Sequence, residues 1–302
     1  MEKQSRVYSH PEVDKTIKIS DDLIEEKIKI IKNKANKLPD NEREIILRKS
    51  IGHIDLTSLN LDDTTETIEK LCSKAINPLN LEERSDNIHT AAVCVYPARA
   101  TDAINFLINK NATYLPVASV AGDFPAGKLP FDERLQEVID VVAMGVQEID
   151  IVIDRSLVLN EDWDTLFKEI SEMKKACGNK CLKTILSTGD LPSLEHVYHA
   201  AMVAMQAGSD FIKTSTGKET VNATLPVGIV MSSAIKIYEK NTGRKVGFKA
   251  AGGIKTANQV VEWMILVESE LGHDHLDNTN LFRVGASSLL DDIVENISLK
   301  KM

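Results

Sequence analysis

The chain has 302 residues, of which 43% are hydrophobic and 27% charged, and its formal net charge is −9. That profile belongs to a globular protein with a sizeable core and excludes a disordered, collagenous or coiled-coil chain. An acidic balance sets up a field that repels nucleic acid and anionic membranes, so any anionic ligand needs a local cationic pocket.

Cys72, Cys94, Cys177 and Cys181 are too few and too scattered for a disulfide framework, and none forms a CxxC pair. A reducing, cytoplasmic setting is expected. The apolar run from Val138 to Val146 is broken by Asp140 and Gly145, far short of the ~18 clean positions of a membrane span. The first thirty residues lack a signal-peptide core, and the sequons at Asn111, Asn222 and Asn296 carry no weight in a cytoplasmic chain.

In chain order, residues 1–19 mix charges with Pro11 and show no periodicity, which reads as a flexible or loosely docked arm. Ser20, Asp21 and Asp22 cap a helix whose stripe is Leu23, Ile24, Ile28 and Ile31, and which ends before Pro39. A second helix is expected over Glu42–Lys49. Then the texture changes to short β-branched runs, each followed by an amphipathic segment. The runs are Ile51–Asp55, His89–Tyr96, Leu115–Val120, Glu148–Ile153, Cys181–Leu186, Asp210–Lys213, Val246–Ala250 and Leu281–Gly285. Helical patterns follow them at 64–75, 98–109, 132–144, 162–177, 191–207, 226–240, 256–271 and 288–297. Eight βα units close into a barrel and abolish both sheet edges, whereas an open doubly wound sheet usually has five or six strands. The expected fold is therefore α/β, a TIM-type (β/α)₈ barrel over 51–302, preceded by an arm and helices over 1–50.

Parallel strands covered on both faces are near-continuous Val/Ile/Leu runs, so an ionisable residue inside one needs a partner or a task. Asp55, Asp150, Lys183, Lys213 and Lys249 all stand in such runs. Singly, each reads most simply as a structural ion; three lysines on three consecutive strands favour chemistry. Barrel active sites take their groups from strand C-terminal ends, which would bring Lys213 and Lys249 together opposite Asp150. Two close lysines suit amine nucleophilic catalysis. The attacking amine must be neutral, and burial plus a neighbouring ammonium lowers its pKa. Asp150 can then move protons to and from a carbinolamine.

Thr216-Gly217-Lys218, Gly252-Gly253 and Gly285-Ala286-Ser287-Ser288 follow the last three strands. Glycines allow close backbone approach to an oxyanion, the serines offer hydroxyls, and a helix beginning near Ser288 aims free N–H groups at it. A phosphate cradle built from Gly217, Lys218, Gly252, Gly253, Gly285, Ser287 and Ser288 is expected. Three other signals weigh less. Gly122 to Lys128 satisfies GxxxxGK, with Asp154 after the next strand, but Leu129 replaces the hydroxyl residue that would hold Mg²⁺ and Pro125 removes a donor. His273-Asp-His275 has metal-ligand spacing but is expected in a polar loop with no third ligand, so no metal site is assigned. Cys94 reads as a small core residue, and Cys177 and Cys181 as free thiols.

The segments 211–218 (FIKTSTGK), 246–253 (VGFKAAGG) and 282–290 (FRVGASSLL) resemble deoxyribose-phosphate aldolases, as do 53–57 (HIDLT), 93–97 (VCVYP), 120–127 (VAGDFPAG) and 148–152 (EIDIV). The likeness runs from about residue 50 to the end; the N-terminal extension and LKTILSTG at 182–189 resemble the longer, eukaryotic-like branch. Ala250 stands where that family carries proline after the lysine. The resemblance implies reversible, metal-free and cofactor-free cleavage of 2-deoxy-D-ribose 5-phosphate in deoxyribonucleoside catabolism. It makes Lys213 the Schiff-base lysine, Lys249 the lysine that lowers its pKa, and Asp150 the proton-transfer group. It places Asp55, Thr57, Cys94 and Lys183 around the substrate. Small phosphorylated aldehydes or deoxysugars are the implied partners, with neither nucleic acid nor membrane, and a homodimer is compatible. Another class I aldolase or transaldolase, and a barrel kept only for binding, are the alternatives.

Overall fold

In a computed structural model, which describes residues 8–80 and 88–298, the apolar runs pair as one parallel sheet closed on itself. Its strands are β1 (Ile54–Ser58), β2 (Ala92–Val95), β3 (Val117–Ala121), β4 (Glu148–Val152), β5 (Cys181–Ile185), β6 (Phe211–Lys213), β7 (Gly247–Ala251) and β8 (Phe282–Ala286). Neighbours in sequence are neighbours in space, and β8 returns to β1 with Ile54 opposite Val284 and Asp55 opposite Gly285. Two helices come first, α1 (Asp21–Lys37) and α2 (Asp40–Ile51). The outer layer adds α3 (Thr65–Ile76), α4 (Pro97–Asn109), α5 (Phe131–Ala143), α6 (Arg155–Leu159), α7 (Trp163–Cys177), α8 (Leu194–Gln206), α9 (Leu225–Thr242), α10 (Ala257–Leu271), α11 (His273–Leu276) and α12 (Leu289–Ser298). The expected TIM barrel is the fold observed. Among the described residues no helix is long and apolar enough to cross a membrane.

The period of two along each strand sorts side chains between two environments. Ile54, Leu56, Val93, Val95, Ile149, Ile151, Ile212, Phe248, Phe282 and Val284 join the large core between sheet and helices. The alternate residues point into the barrel. There Cys94, Ala118 and Val120 form a separate apolar cluster with Leu59, flanked by Tyr96 and Phe124. The remaining inward positions on β1 and β4–β8 are largely ionisable. The barrel interior is thus half apolar and half charged, and the charged half carries the site.

Several local expectations are corrected by the structure. The first strand was expected from Ile51, but Ile51 is the last residue of α2, where with Leu47 it completes a buried apolar face. Burial of that face outweighs the β-branched look of Ile51–Ile54, and pairing starts after the Gly52 turn. Leu23, counted into the stripe of α1, is 52% exposed, while Ile24 and Ile31 are buried. The arm, as far as it is described, is docked rather than loose: Glu12 and Gln206 exchange two hydrogen bonds of 2.8 and 3.1 Å, and Tyr8 stacks on Tyr238 at 6.3 Å. Residues 1–7 lie outside the described residues.

Candidate active site

β6 and β7 pair in register so that Lys213 lies directly opposite Lys249, and β4 pairs with β5 so that Asp150 lies opposite Lys183. All four side chains point inward and are buried. Asp150 is the hub. Its Oδ2 accepts from Lys213 Nζ at 2.8 Å and from Lys249 Nζ at 2.7 Å, and its Oδ1 accepts from Lys183 Nζ at 3.0 Å. Asp55 binds Lys249 at 2.5 Å, Lys183 at 3.2 Å and Arg283 at 2.6 Å. Glu148 closes the network on Lys183 and on Arg283, the latter at 3.0 Å.

Four cations, Lys183, Lys213, Lys249 and Arg283, therefore face three carboxylates, Asp55, Glu148 and Asp150. Buried charge is tolerated when balanced, so one proton is in surplus. Lys213 carries it, because Asp150 is its sole carboxylate contact among the described residues while Lys183 and Lys249 have two or more. Burial lowers the Lys213 pKa, Lys249 adds to the lowering, and Asp150 only partly opposes them. For Lys249 burial acts in the same direction but is outweighed by Asp150 and Asp55, so its pKa is raised. Lys183 is raised further, by Asp150, Asp55 and Glu148 against its burial. The same lysines, against burial, hold the Asp150 carboxyl well below the usual carboxylate range. The result is one amine whose pKa is lowered beside two whose pKa values are raised.

Asp55, Asp150, Lys183, Lys213 and Lys249 are thus brought together as the sequence suggested. Cys94 lies across the barrel in the apolar cluster, its thiol pushed up by burial and then by Asp150. Thr57 lines the same opening and donates from Oγ1 to the Asp55 carbonyl at 2.8 Å. Glu148 and Arg283 were not singled out in the sequence: Glu148 opens β4 and Arg283 stands second in β8.

Above the lysines a cavity of about 370 Å³ opens between the loops after β1, β6, β7 and β8, with Lys213 on its wall. Gly217, Lys218, Gly252, Gly253, Gly285, Ser287 and Ser288 all line it, as does Lys255, which the sequence pattern did not mark. Gly252 and Gly253 have φ of +82° and +78°, and a Cβ at Gly252 would come within 2.5 Å of Asn222 Oδ1. Only glycine serves there. Ser287 and Ser288 are exposed at the entrance to α12, and among the described residues their amides and that of Gly253 donate to no protein acceptor. Lys218 Nζ donates to the Leu59 carbonyl at 2.9 Å, spanning from the β6 loop to the β1 loop. The amide of Gly217 is engaged internally, by Glu219 at 3.1 Å, so Gly217 offers room rather than a donor.

Gly285 has a second task. A Cβ there would lie 3.1 Å from Lys249 Cε and 3.0 Å from Ala251 Cβ. Gly285→Ala is expected to push Lys249 off Asp150, lowering kcat at least tenfold and costing roughly 1–3 kcal/mol by overpacking. Steady-state kinetics and a thermal melt check both; unchanged kcat would remove this steric role. Ala250, the last residue of the expected strand, lies within β7 and pairs with Val284.

The weaker sequence signals find structural explanations. The Gly122–Lys128 loop caps the apolar side of the barrel mouth, where Phe124 packs edge-on against Tyr96 at 5.8 Å. Its Asp123 carboxylate accepts from the Lys128 and Leu129 amides at 2.7 and 3.1 Å, and Asp154 caps α6. His273 is exposed, whereas His275, expected in solvent, is buried in α11 with Nε2 3.1 Å from Glu239 and 3.2 Å from the Val246 carbonyl. Burial pushes the Cys177 and Cys181 thiols up to about 12, as befits unreactive cysteines.

The family model for DeoC/LacD family aldolases matches residues 49–291. Deoxyribose-phosphate aldolase from Mus musculus is 52% identical over 259 residues, covering 83% of this chain and 80% of the mouse protein. The Homo sapiens enzyme of the same name is 52% identical over 257 residues, with the same shares covered. Among solved structures, one from Toxoplasma gondii superposes with a TM-score of 0.75 at 22% identity, covering 86% of this chain and 97% of that one. A deoxyribose phosphate aldolase from Aeropyrum pernix gives 0.65 at 20%, covering 89% and 97%. At such identities the structures speak for the fold alone, and the family rests on the sequence matches. Together with the buried lysine pair, these place the chain in the DeoC/LacD aldolase family, among the deoxyribose-phosphate aldolases.

Proposed function

We propose that this protein cleaves 2-deoxy-D-ribose 5-phosphate reversibly to D-glyceraldehyde 3-phosphate and acetaldehyde through an imine on Lys213. The observation that carries the reading is the surplus cation: among the described residues Lys213 alone of the buried lysines has a lowered pKa, and it borders the cavity lined by the glycine and serine loops. The neutral Lys213 amine adds to C1 of the open-chain sugar, and the carbinolamine loses water to give an iminium. As the C3 hydroxyl gives up its proton, the C2–C3 bond breaks, its electron pair flows into the iminium, and C3 becomes the aldehyde carbon of glyceraldehyde 3-phosphate. Protonation of the resulting enamine at C2, then hydrolysis, releases acetaldehyde and returns the amine. Asp150, in contact with both Lys213 and Lys249, passes protons through these steps; its depressed pKa suits a relay that does not retain them. Gly252, Gly253, Gly285, Ser287 and Ser288, with Lys218 at the rim, receive the 5-phosphate, and Gly217 gives it space. Asp55 and Lys183 hold Lys249 and Asp150 in place, while Thr57 and Cys94 shape the walls.

Four free cysteines and the charge of −9 support a cytoplasmic enzyme of small phosphorylated substrates, with no nucleic-acid or membrane partner. The test is donor choice in the synthetic direction. Acetaldehyde with D-glyceraldehyde 3-phosphate should give the deoxysugar phosphate, and dihydroxyacetone phosphate should be inert as donor. Turnover with dihydroxyacetone phosphate instead would return the protein to the other class I aldolases or the transaldolases.

A further inference from the structure

The loop after β6 folds back on itself around one carboxylate. Glu219 Oε1 accepts from the Thr216 amide at 2.9 Å, while Oε2 accepts from the same amide and from that of Gly217, both at 3.1 Å. Gly217, at φ +86°, supplies the reversal that lets a side chain two residues on reach back to these amides. The carbonyl of Glu219 in turn accepts from Asn222 Nδ2 at 2.8 Å, and the Asn222 side chain presses on Gly252 in the phosphate wall. Between these anchors sits Lys218, its amide on Thr216 Oγ1 at 3.1 Å and its ammonium across the cavity mouth on Leu59.

Two features show that the arrangement is built in. The carboxyl is held below its usual range, the cost of burial being outweighed, first of all by the Thr216 amide. Gly189 also lies so close to this segment that a Cβ there would meet the Val221 carbonyl at 1.9 Å, so the β5 loop backs it tightly. The sequence-expected phosphate loop at Thr216-Gly217 has therefore already committed its amides to an internal anion. A phosphate is left to the amides of Gly253, Ser287 and Ser288 on the facing wall.

We propose that Glu219 is a positioning residue for the phosphate end of the cavity: by holding the Thr216–Gly217 turn and, through Asn222, the Gly252 wall, it sets the preference for a phosphorylated over an unphosphorylated sugar. This rests on the phosphate-site reading above. Glu219 bonds to none of the buried lysines and reaches the cavity only through the Thr216 and Gly217 amides that it holds, so its loss acts on binding and leaves the bond-breaking step in place.

The experiment compares 2-deoxyribose 5-phosphate with 2-deoxyribose in the wild type, Glu219→Ala and Glu219→Gln, with inorganic phosphate as a competitive inhibitor. In Glu219→Ala, KM for the phosphorylated sugar and Ki for phosphate should each rise roughly tenfold, as expected when a charge-assisted hydrogen-bonded anchor is removed. Its kcat, and kcat/KM for 2-deoxyribose, should stay within about twofold, since the lost carboxylate bonds to none of the buried lysines. Glu219→Gln keeps one acceptor oxygen and should fall between; it carries the test on its own should the alanine variant not fold. Equal losses on both sugars, or no change in the phosphate Ki, would overturn the role of Glu219 while leaving the cleavage reaction intact. A wild type indifferent to the phosphate would overturn the phosphate-site reading and this proposal with it.

Discussion

Acetaldehyde followed by borohydride is expected to leave an ethyl group on Lys213 and on no other buried lysine. Imine formation needs an amine lone pair, and the three buried lysines differ in whether they have one. Lys183 and Lys249 each sit between two or more carboxylates and keep their protons, whereas Lys213 shares one Asp150 oxygen with Lys249 and is driven toward the neutral form by burial and by that neighbour. Lys213→Leu should abolish both the label and at least ~10⁴-fold of the turnover, the scale seen when a covalent nucleophile is deleted. It should nonetheless fold, because it leaves three cations facing three carboxylates. Peptide mapping decides the matter. Label on Lys249, or only on surface lysines, would refute the assignment of the nucleophile.

The architecture was legible in the sequence because its two periods are strong: eight apolar runs separated by amphipathic segments leave few alternatives to a closed barrel. The reacting residues were legible for a related reason, since Asp150 and Lys249 interrupt runs that both-face burial would otherwise keep apolar. Glu148 and Arg283 escaped notice because they stand near the beginnings of their strands, where a charge ordinarily faces water. Only the closure of β8 on β1 turns Arg283 inward beside Asp55. Local pattern carries no information about a contact across 228 residues. The same holds for the division of labour between the lysines. Pairing two of them predicts a lowered pKa somewhere, but which one it falls on depends on Asp55 serving Lys249 and, among the described residues, leaving Lys213 without a second carboxylate. Glu219 was invisible because its task depends on a turn closing over two backbone amides, a geometry that no spacing rule for glycines encodes.

Removing the neighbouring charge should move the pH profile rather than merely lower it. In Lys249→Leu only Lys183 and Arg283 would face the three carboxylates, so Lys213 becomes the third cation the network needs and retains its proton. The sign follows from the reactive form. A neutral amine is required, so kcat/KM rises with pH through the Lys213 pKa, and that limb lies below the ordinary value of 10.5 in the wild type. Loss of the Lys249 ammonium raises this pKa, and release of Asp150 from Lys249 strengthens the remaining opposing pull in the same direction. The limb should therefore move to higher pH. Below it, the neutral fraction of Lys213 falls about tenfold for each pH unit that the limb has moved, so activity near neutrality drops steeply and partly recovers in alkaline buffer. A buried partner is also lost, which should destabilise the fold by roughly 3–5 kcal/mol. Lys249→Arg, which restores the charge, separates the two effects: it should return the limb toward its wild-type position even where packing lowers kcat. A Lys249→Leu profile that drops uniformly with its limb unmoved would mean that Lys249 holds structure alone and that the low Lys213 pKa comes from burial without it.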